Sequence, residues 1–267
     1  MYKKKSPQVL SAVDLSMGYE TAVFENLNVE IAPGSMTAII GANGSGKTTL
    51  LKALARLQKP KAGAVLIGDK NIASVSPREF AKQVGLLSQQ PIAPEGITVS
   101  DLVMRGRYPH QKLVGRTPKS EIQIVEDVIE RAGLIQLASR KLSDLSGGQR
   151  QRAWIAMALA QESDILLLDE PTTFLDLSHQ LEVLDLLSSL NQERGMTVVM
   201  VIHDLNMAAR FCNNFILVSE GKILAQGPPE EVLTPKNLAA AFKILARVIN
   251  DPVSKRPMVV PVRHLSQ

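Results

Sequence analysis

A glycine-rich turn between a strand-like and a helix-like stretch constrains this chain more than any other feature. The apolar run 36–40 leads into Gly41, Ala42, Asn43, Gly44, Ser45, Gly46, Lys47, Thr48 and Thr49, and helix-forming residues follow at 50–54. Glycines let the backbone fold back so that successive N–H groups point inward, and the N-terminus of the following helix adds partial positive charge. Such a turn receives phosphate oxygens. Lys47 is placed to reach the β- and γ-phosphates of a nucleotide, the Thr48 hydroxyl to ligate Mg²⁺, and Thr49 to offer a first-turn hydroxyl near the α-phosphate. An ordinary glycine-rich turn has no need of the Gly–Lys–Thr ending.

Composition agrees with an open sheet around that turn. Of 267 residues, 45% are hydrophobic and only 4% aromatic, an aliphatic balance that suits a parallel sheet covered by helices on both faces. The length allows one α/β domain with a helical insert. The formal charge of +4 is 30 basic minus 26 acidic residues, with Lys3, Lys4 and Lys5 contributing, and it reads as a solvated face or tail, not as a nucleic-acid footprint. A single cysteine, Cys212, excludes an intrachain disulfide and a cysteine-cluster metal site. No apolar segment follows the lysines, so no signal peptide is expected. The apolar stretches 153–160 and 165–168 are separated by Gln161, Glu162 and Asp164 and are far too short to span a bilayer. Work at a membrane would therefore need another chain to cross it.

Taken in order, 9–17 and 23–31 read as strands, and Pro33-Gly34 turns the chain into the strand at 36–40. Tyr19, in the first connection, reads either as an adenine platform or as a turn aromatic covering a hydrophobic edge. A helix is expected over 47–57 and a short strand over 65–67. Ser76 caps a helix with Pro77 in its first turn, and the strand 84–87 delivers Ser88, Gln89 and Gln90 to its C-terminal end, where open α/β sheets place ligand chemistry. Between 92 and 142 the texture turns helical, with helices expected over 99–105 and 120–132. The interval 91–160 reads as a helical subdomain inserted in a nucleotide-binding core.

Leu145-Ser146-Gly147-Gly148-Gln149 then opens a helix running to 160. Ser146 caps it, and glycines where a better helix former is available imply close approach by something charged. The apolar strand 165–168 ends in Asp169-Glu170. Adjacent acids at such an edge are costly unless metal or hydrogen bonds hold them. Asp169 suits a Mg²⁺-associated carboxylate opposite Thr48, and Glu170 a group that polarises attacking water. A helix over 177–190 and a strand over 197–202 follow, and His203 at that strand's end, on the same edge as the glycine turn and the acid pair, reads either as a γ-phosphate sensor or as a surface or core histidine. A hairpin over 215–225, helices near 229–233 and 237–246, and short strands at 246–249 and 258–262 complete the chain, with 247–267 a short C-terminal extension.

The order and spacing of these motifs resemble the ATP-binding cassette family, the nucleotide-hydrolysing subunits of ABC transporters, over nearly the whole chain. Residues 41–48 resemble the Walker A motif, 145–149 the signature motif, 165–170 the Walker B strand with its catalytic glutamate, Leu175-Asp176 the D-loop, and His203 the switch histidine. Gln89 resembles the Q-loop glutamine, which senses Mg²⁺ and γ-phosphate, and Tyr19 the aromatic that stacks on adenine. The resemblance implies an α/β P-loop ATPase core with an N-terminal β-subdomain and the inserted helical subdomain. It implies ATP and Mg²⁺, and a second copy paired head to tail, so that Ser146, Gly147, Gly148, Gln149 and Asp176 serve the nucleotide held by the partner's loop. Multi-span permease subunits, docked on the 91–118 surface with Arg107, Tyr108 and His110, and a periplasmic or lipid-anchored substrate-binding protein are the other implied partners. The location implied is the cytoplasmic face of the cell membrane, held peripherally. Gly106-Arg-Tyr-Pro-His110, Leu175-Asp-Leu-Ser-His-Gln180 and Asp251-Pro-Val253 with Pro257-Met-Val-Val-Pro261 resemble importers of the ferric siderophore, haem and vitamin B12 group, most of all ferric siderophore uptake. Haem, vitamin B12 and, further off, an export system stand as alternatives.

Overall fold

The computed structural model describes residues 8–18, 22–111, 118–173 and 175–265. The N-terminal lysines, Tyr19, residues 112–117 and Phe174 lie outside the described residues.

β1 (Leu10–Gly18) and β2 (Ala22–Ile31) pair antiparallel, and β1 also pairs with β4 (Ala62–Ile67), which carries the two-residue β5 (Lys70–Asn71). The central sheet is separate. Its order is β10-β9-β3-β8-β7-β6, built from β3 (Met36–Ile40), β6 (Val84–Leu87), β7 (Ile165–Asp169), β8 (Thr197–Val201), β9 (Asn214–Ser219) and β10 (Lys222–Gly227). All neighbours run parallel except the β9–β10 hairpin at one edge.

Both faces of that sheet are covered, and for that reason most strand positions are apolar and β3, β7 and β8 are buried along their whole length. Leu166 and Leu168 face one core with Val198, Met200, Phe215 and Leu217. Ile165 and Leu167 face the other with Val199, Val201, Ile216 and Val218, where α1 (Lys47–Leu54) and the antiparallel sheet pack. The first core also holds α3 (Val99–Arg105), α4 (Lys119–Arg131), α5 (Gly147–Ala160), α6 (Leu177–Arg194) and α7 (Leu205–Phe211). The short α2 (Pro77–Gln83) precedes β6, with Ser76 as its cap and Pro77 at its first position.

Parallel strands joined by crossovers put all their C-terminal ends on one side of the sheet. That side carries the ends of β3, β6, β7 and β8, the strands that precede the glycine turn, Gln89, the acid pair and His203. Residues scattered over more than 160 positions of sequence become neighbours through strand order alone.

Several bounds differ from the sequence expectation. The first helix stops at Leu54, not at 57, because Arg56 turns into the left-handed region (φ 58°), where its guanidinium donates to Val75 O at 2.7 Å. Short α8 (Pro229–Val232) leads to α9 (Pro235–Phe242), which starts earlier than expected, capped by Thr234, and ends earlier because Lys243 is left-handed (φ 57°). Residues from Ile244 belong to a hairpin, β11 (Ile244–Asn250) with β12 (Pro257–His264), longer than the short strands expected and starting before 247. Asn206 of α7 ties that hairpin down, accepting from Val259 N at 2.7 Å and donating to Val259 O at 3.2 Å.

Within 91–160, α3, α4 and α5 pack on one another. The end of α3 presses so closely on α5 that a Cβ at Gly106 would stand 2.1 Å from Met157 O.

Candidate functional site

The glycine turn closes tightly against its surroundings. Gly41 (φ 151°) and Gly46 (φ 107°) hold backbone conformations that side chains resist, and added Cβ atoms would lie 2.2 Å from Val218 O and 2.4 Å from Phe24 Cζ. Lys47 Nζ donates to Gly41 O and Ala42 O, each at 2.9 Å. Burial pulls its ammonium below the ordinary value, against the upward pull of Glu170 and Asp169. Ser45 Oγ is buried without a hydrogen-bond partner, and the first-turn amides of α1 have no intrahelical acceptor. Orphaned donors and a desolvated cation around an open turn fit a phosphate chain.

Thr48 Oγ1, in the first turn of α1, donates to Asp169 Oδ1 at the end of β7 at 3.2 Å. Burial pushes the Asp169 carboxyl up, partly offset by the Thr48 hydrogen bond. A hydroxyl and a destabilised carboxylate are hard oxygen donors, and the pair fits Mg²⁺ as the counter-charge that burial otherwise withholds. Among the described residues no cluster of three or more His, Cys, Asp or Glu forms a metal cage.

Glu170 adopts φ 53°, with its N–H on Val201 O. This turns its carboxylate off the end of β7. Oε2 accepts from Gln89 Nε2 at 2.8 Å and from Thr173 Oγ1 at 3.0 Å, while Oε1 lies 2.7 Å from His203 Nε2. Burial alone would raise its pKa, but the bonds from His203, Thr173 and Gln89 outweigh it and the net displacement is downward. Gln89, expected beside Mg²⁺, is thus engaged by the catalytic-type glutamate. Thr173 was not expected at all. A hydroxyl three residues beyond an acid is common in turns and gives no sequence signal of this role.

At the start of α5, Ser146 and Gln149 form a reciprocal capping box. Gly147 meets nothing within 4 Å, whereas a Cβ at Gly148 would lie 2.5 Å from His179 Cδ2. The close approach that the glycines implied therefore comes, at Gly148, from the same chain. Asp176 caps α6 and accepts from His179, whose backbone and ring bonds hold its carboxyl below the ordinary range. Gly147, Gln89, Glu170 and Thr173 line one open cleft of about 470 Å³, to which no residue of 41–49 contributes. Tyr19 lies outside the described residues.

The expected docking surface needs correcting. Arg107 is only 2% exposed, and it pairs with Glu121 at 2.6 Å and Glu162 at 2.8 Å and donates to Ala160 O at 2.5 Å. It braces the ends of α3 and α5 against the start of α4. His110 Nε2 lies 2.8 Å from Gln161 O. Tyr108, 59% exposed, does line a surface groove with Pro94, Glu95, Asp101, Met104 and Arg105.

Residues 24–173 match the family described as ABC transporter. The chain belongs to the ABC transporter family. This cassette is 48% identical to the ferric enterobactin transport ATP-binding protein FepC of Escherichia coli K12, covering 95% of this chain and 94% of that one. It is 46% identical to the iron(3+)-hydroxamate import ATP-binding protein FhuC of Bacillus subtilis 168, with 93% of each covered. Among solved structures it is similar to an inward-facing metal-chelate type ABC transporter (TM-score 0.83, 31% identity, 97% of this chain and 98% of that one). It is also similar to the dimeric bacterial ABC transporter cassette MJ0796 (TM-score 0.73, 29% identity, 82% and 98%). As a cassette of this family it is an ATP-binding subunit and an ATPase coupled to transport. Among the described residues no helix is long and apolar enough to cross a membrane.

Proposed function

We propose that this cassette hydrolyses ATP to energise import of a ferric siderophore, working as two copies paired head to tail under multi-span permease subunits. The observation that carries the chemistry is Glu170, turned off the end of β7 and gripped by Gln89, Thr173 and His203. Support for the substrate comes from the functions of relatives that match over more than nine-tenths of both chains.

The residues act as follows. Lys47 leaves the carbonyls of Gly41 and Ala42 for the β- and γ-phosphates, with the amides of Gly44, Gly46 and Thr48 and the Ser45 hydroxyl closing round them. Asn43 borders the same phosphates, and Thr49 offers its hydroxyl near the α-phosphate. Mg²⁺, held by Thr48 and Asp169 with Gln89 nearby, supplies positive charge against the phosphate oxygens when bound. Turning His203 from Glu170 Oε1 to the γ-phosphate frees that oxygen to orient water. Ser146, Gly147, Gly148, Gln149 and Asp176 complete the site of the partner copy, and Tyr19 supports the adenine.

The groove at Tyr108 receives the permease at the cytoplasmic face of the membrane, and Ile92, 94% exposed two residues before Pro94 of its lining, adds an apolar contact. A periplasmic or lipid-anchored binding protein delivers the chelate, and no nucleic acid takes part. The test is uptake of radio-iron as ferric siderophore in cells lacking the gene. The native chain restores uptake, and Glu170→Gln, which keeps ATP binding but loses hydrolysis by about 10²–10⁴-fold, does not. Restored uptake of haem or vitamin B12 with no effect on ferric siderophore would reassign the substrate.

A further inference from the structure

His179 stands one turn into α6, on the helix that Asp176 caps. Its backbone N–H and its ring Nδ1 both bond Asp176 Oδ1, at 2.9 and 2.7 Å. An ionised carboxylate only accepts, so Nδ1 carries the proton. The same ring lies on Gly148 in the first turn of α5, where a Cβ would stand 2.5 Å from Cδ2, 2.7 Å from Cγ and 3.0 Å from Nε2. Gly148 lies within α5 and is not left-handed. Alanine would suit that backbone better than glycine, and within the chain the nearest atoms that crowd it out are those of the imidazole.

The neighbouring bonds run the same way. Gln151 Nε2 donates to Pro171 O at 2.9 Å, and Arg152 pairs with Glu182. The first turns of α5 are laced to the segment 171–182, and His179 is the outermost tie.

We propose that His179 is a positioning residue: its ring fixes the spacing between Gly148 and Asp176 of one chain, so that both meet the partner's nucleotide in a set relation. The proposal rests on the shared-site reading above. Asp176 is exposed and would otherwise sample several rotamers. A displacement of an ångström at a closing site has a large effect.

A crowding cycle tests the intrachain half without nucleotide. Gly148→Ala, His179→Ala and the double variant are compared by thermal melts of the full chain. Gly148→Ala lowers the melting temperature by roughly 3–8 °C beside native His179, and by less than about 1 °C once the ring is gone. If Gly148→Ala alone gives no folded protein, His179→Ala restores it. Equal losses in both backgrounds overturn the contact.

The second arm reads dimerisation. In a Glu170→Gln background, light scattering gives the ATP concentration that half-fills the dimer, and a titration gives the affinity of the monomer. His179→Ala raises the first roughly 10- to 100-fold and leaves the second unchanged. His179→Asn, whose amide reaches Asp176 from the same place as Nδ1, recovers most of the loss. Dimerisation of His179→Ala at the parent's ATP concentration overturns the positioning role, as does a failure of both monomer affinity and melt together. A parent that stays monomeric in ATP overturns the shared site and with it the partner-facing half of the proposal, while the crowding cycle still decides separately whether the ring positions Gly148.

Discussion

Arg107 shows how far one residue's meaning depends on its burial. Its guanidinium is desolvated between Glu121 and Glu162 and caps Ala160 O, so Arg107→Met leaves the two carboxylates without their shared cation. Breaking such a buried set costs about 3–5 kcal/mol. Arg256, whose 3.3 Å pair with Glu230 is open to solvent, should lose no more than about 1 kcal/mol as Arg256→Met. Urea unfolding of both variants compares them directly, and equal midpoints would refute the brace. Cys212 is the other buried case. Burial pushes its thiol up to about 12, from an ordinary value of 9.0. The folded thiol keeps its proton where the unfolded one loses it, so its contribution to stability is full below the ordinary value and falls away as pH rises towards about 12. At pH near 8 the native protein should resist iodoacetamide and be alkylated only as fast as it unfolds. Mass spectrometry after timed quenching reads this, and rapid alkylation of native protein would show the thiol to be accessible.

At the scale of elements, the crossing of α3 on α5 holds the helical segment together. A Cβ at Gly106 would meet Met157 O at 2.1 Å, backbone that cannot rotate aside. Gly106→Ala should therefore cost about 1–3 kcal/mol, the usual range for overpacking. Gly147 is the contrast, since nothing stands within 4 Å of its added Cβ. Gly147→Ala should leave the melt within about 0.5 kcal/mol of the native chain. Thermal denaturation of the pair separates a glycine that packing within the chain requires from one that it does not. The capping box of Ser146 and Gln149 was legible as residues because caps are local. The ring of His179 over Gly148 was not, because thirty residues of sequence lie between them.

For the whole molecule, the shared site predicts complementation. With Glu170→Gln in both chains to prevent discharge, one copy carries Lys47→Ala and the other Ser146→Arg. The mixed dimer has one site bearing both lesions and one clean site, and each parent homodimer has none clean. Close to one ATP should be retained per purified heterodimer and almost none per homodimer. Retention of no ATP by a heterodimer shown to assemble would return the start of α5 to a plain helix cap. The separation of Gly147 from residues 41–49, none of which lines the cleft at Gly147, is the feature within one chain that this experiment probes.

Contiguous chemistry was determined by the sequence itself. The glycine turn with Lys47 and Thr48, the apolar strand ending in Asp169-Glu170, and the caps at Ser76 and Ser146 each span a few residues, and their backbone geometry is local. The tertiary structure alone decided which side chains these groups meet. It placed Gln89, Thr173 and His203 on Glu170, sank Arg107 into the packing, set His179 on Gly148, and paired β1 with β4 across the first helix. Burial and contact are properties of the packed chain, set by strand order and helix crossings between distant segments, and no local pattern carries them.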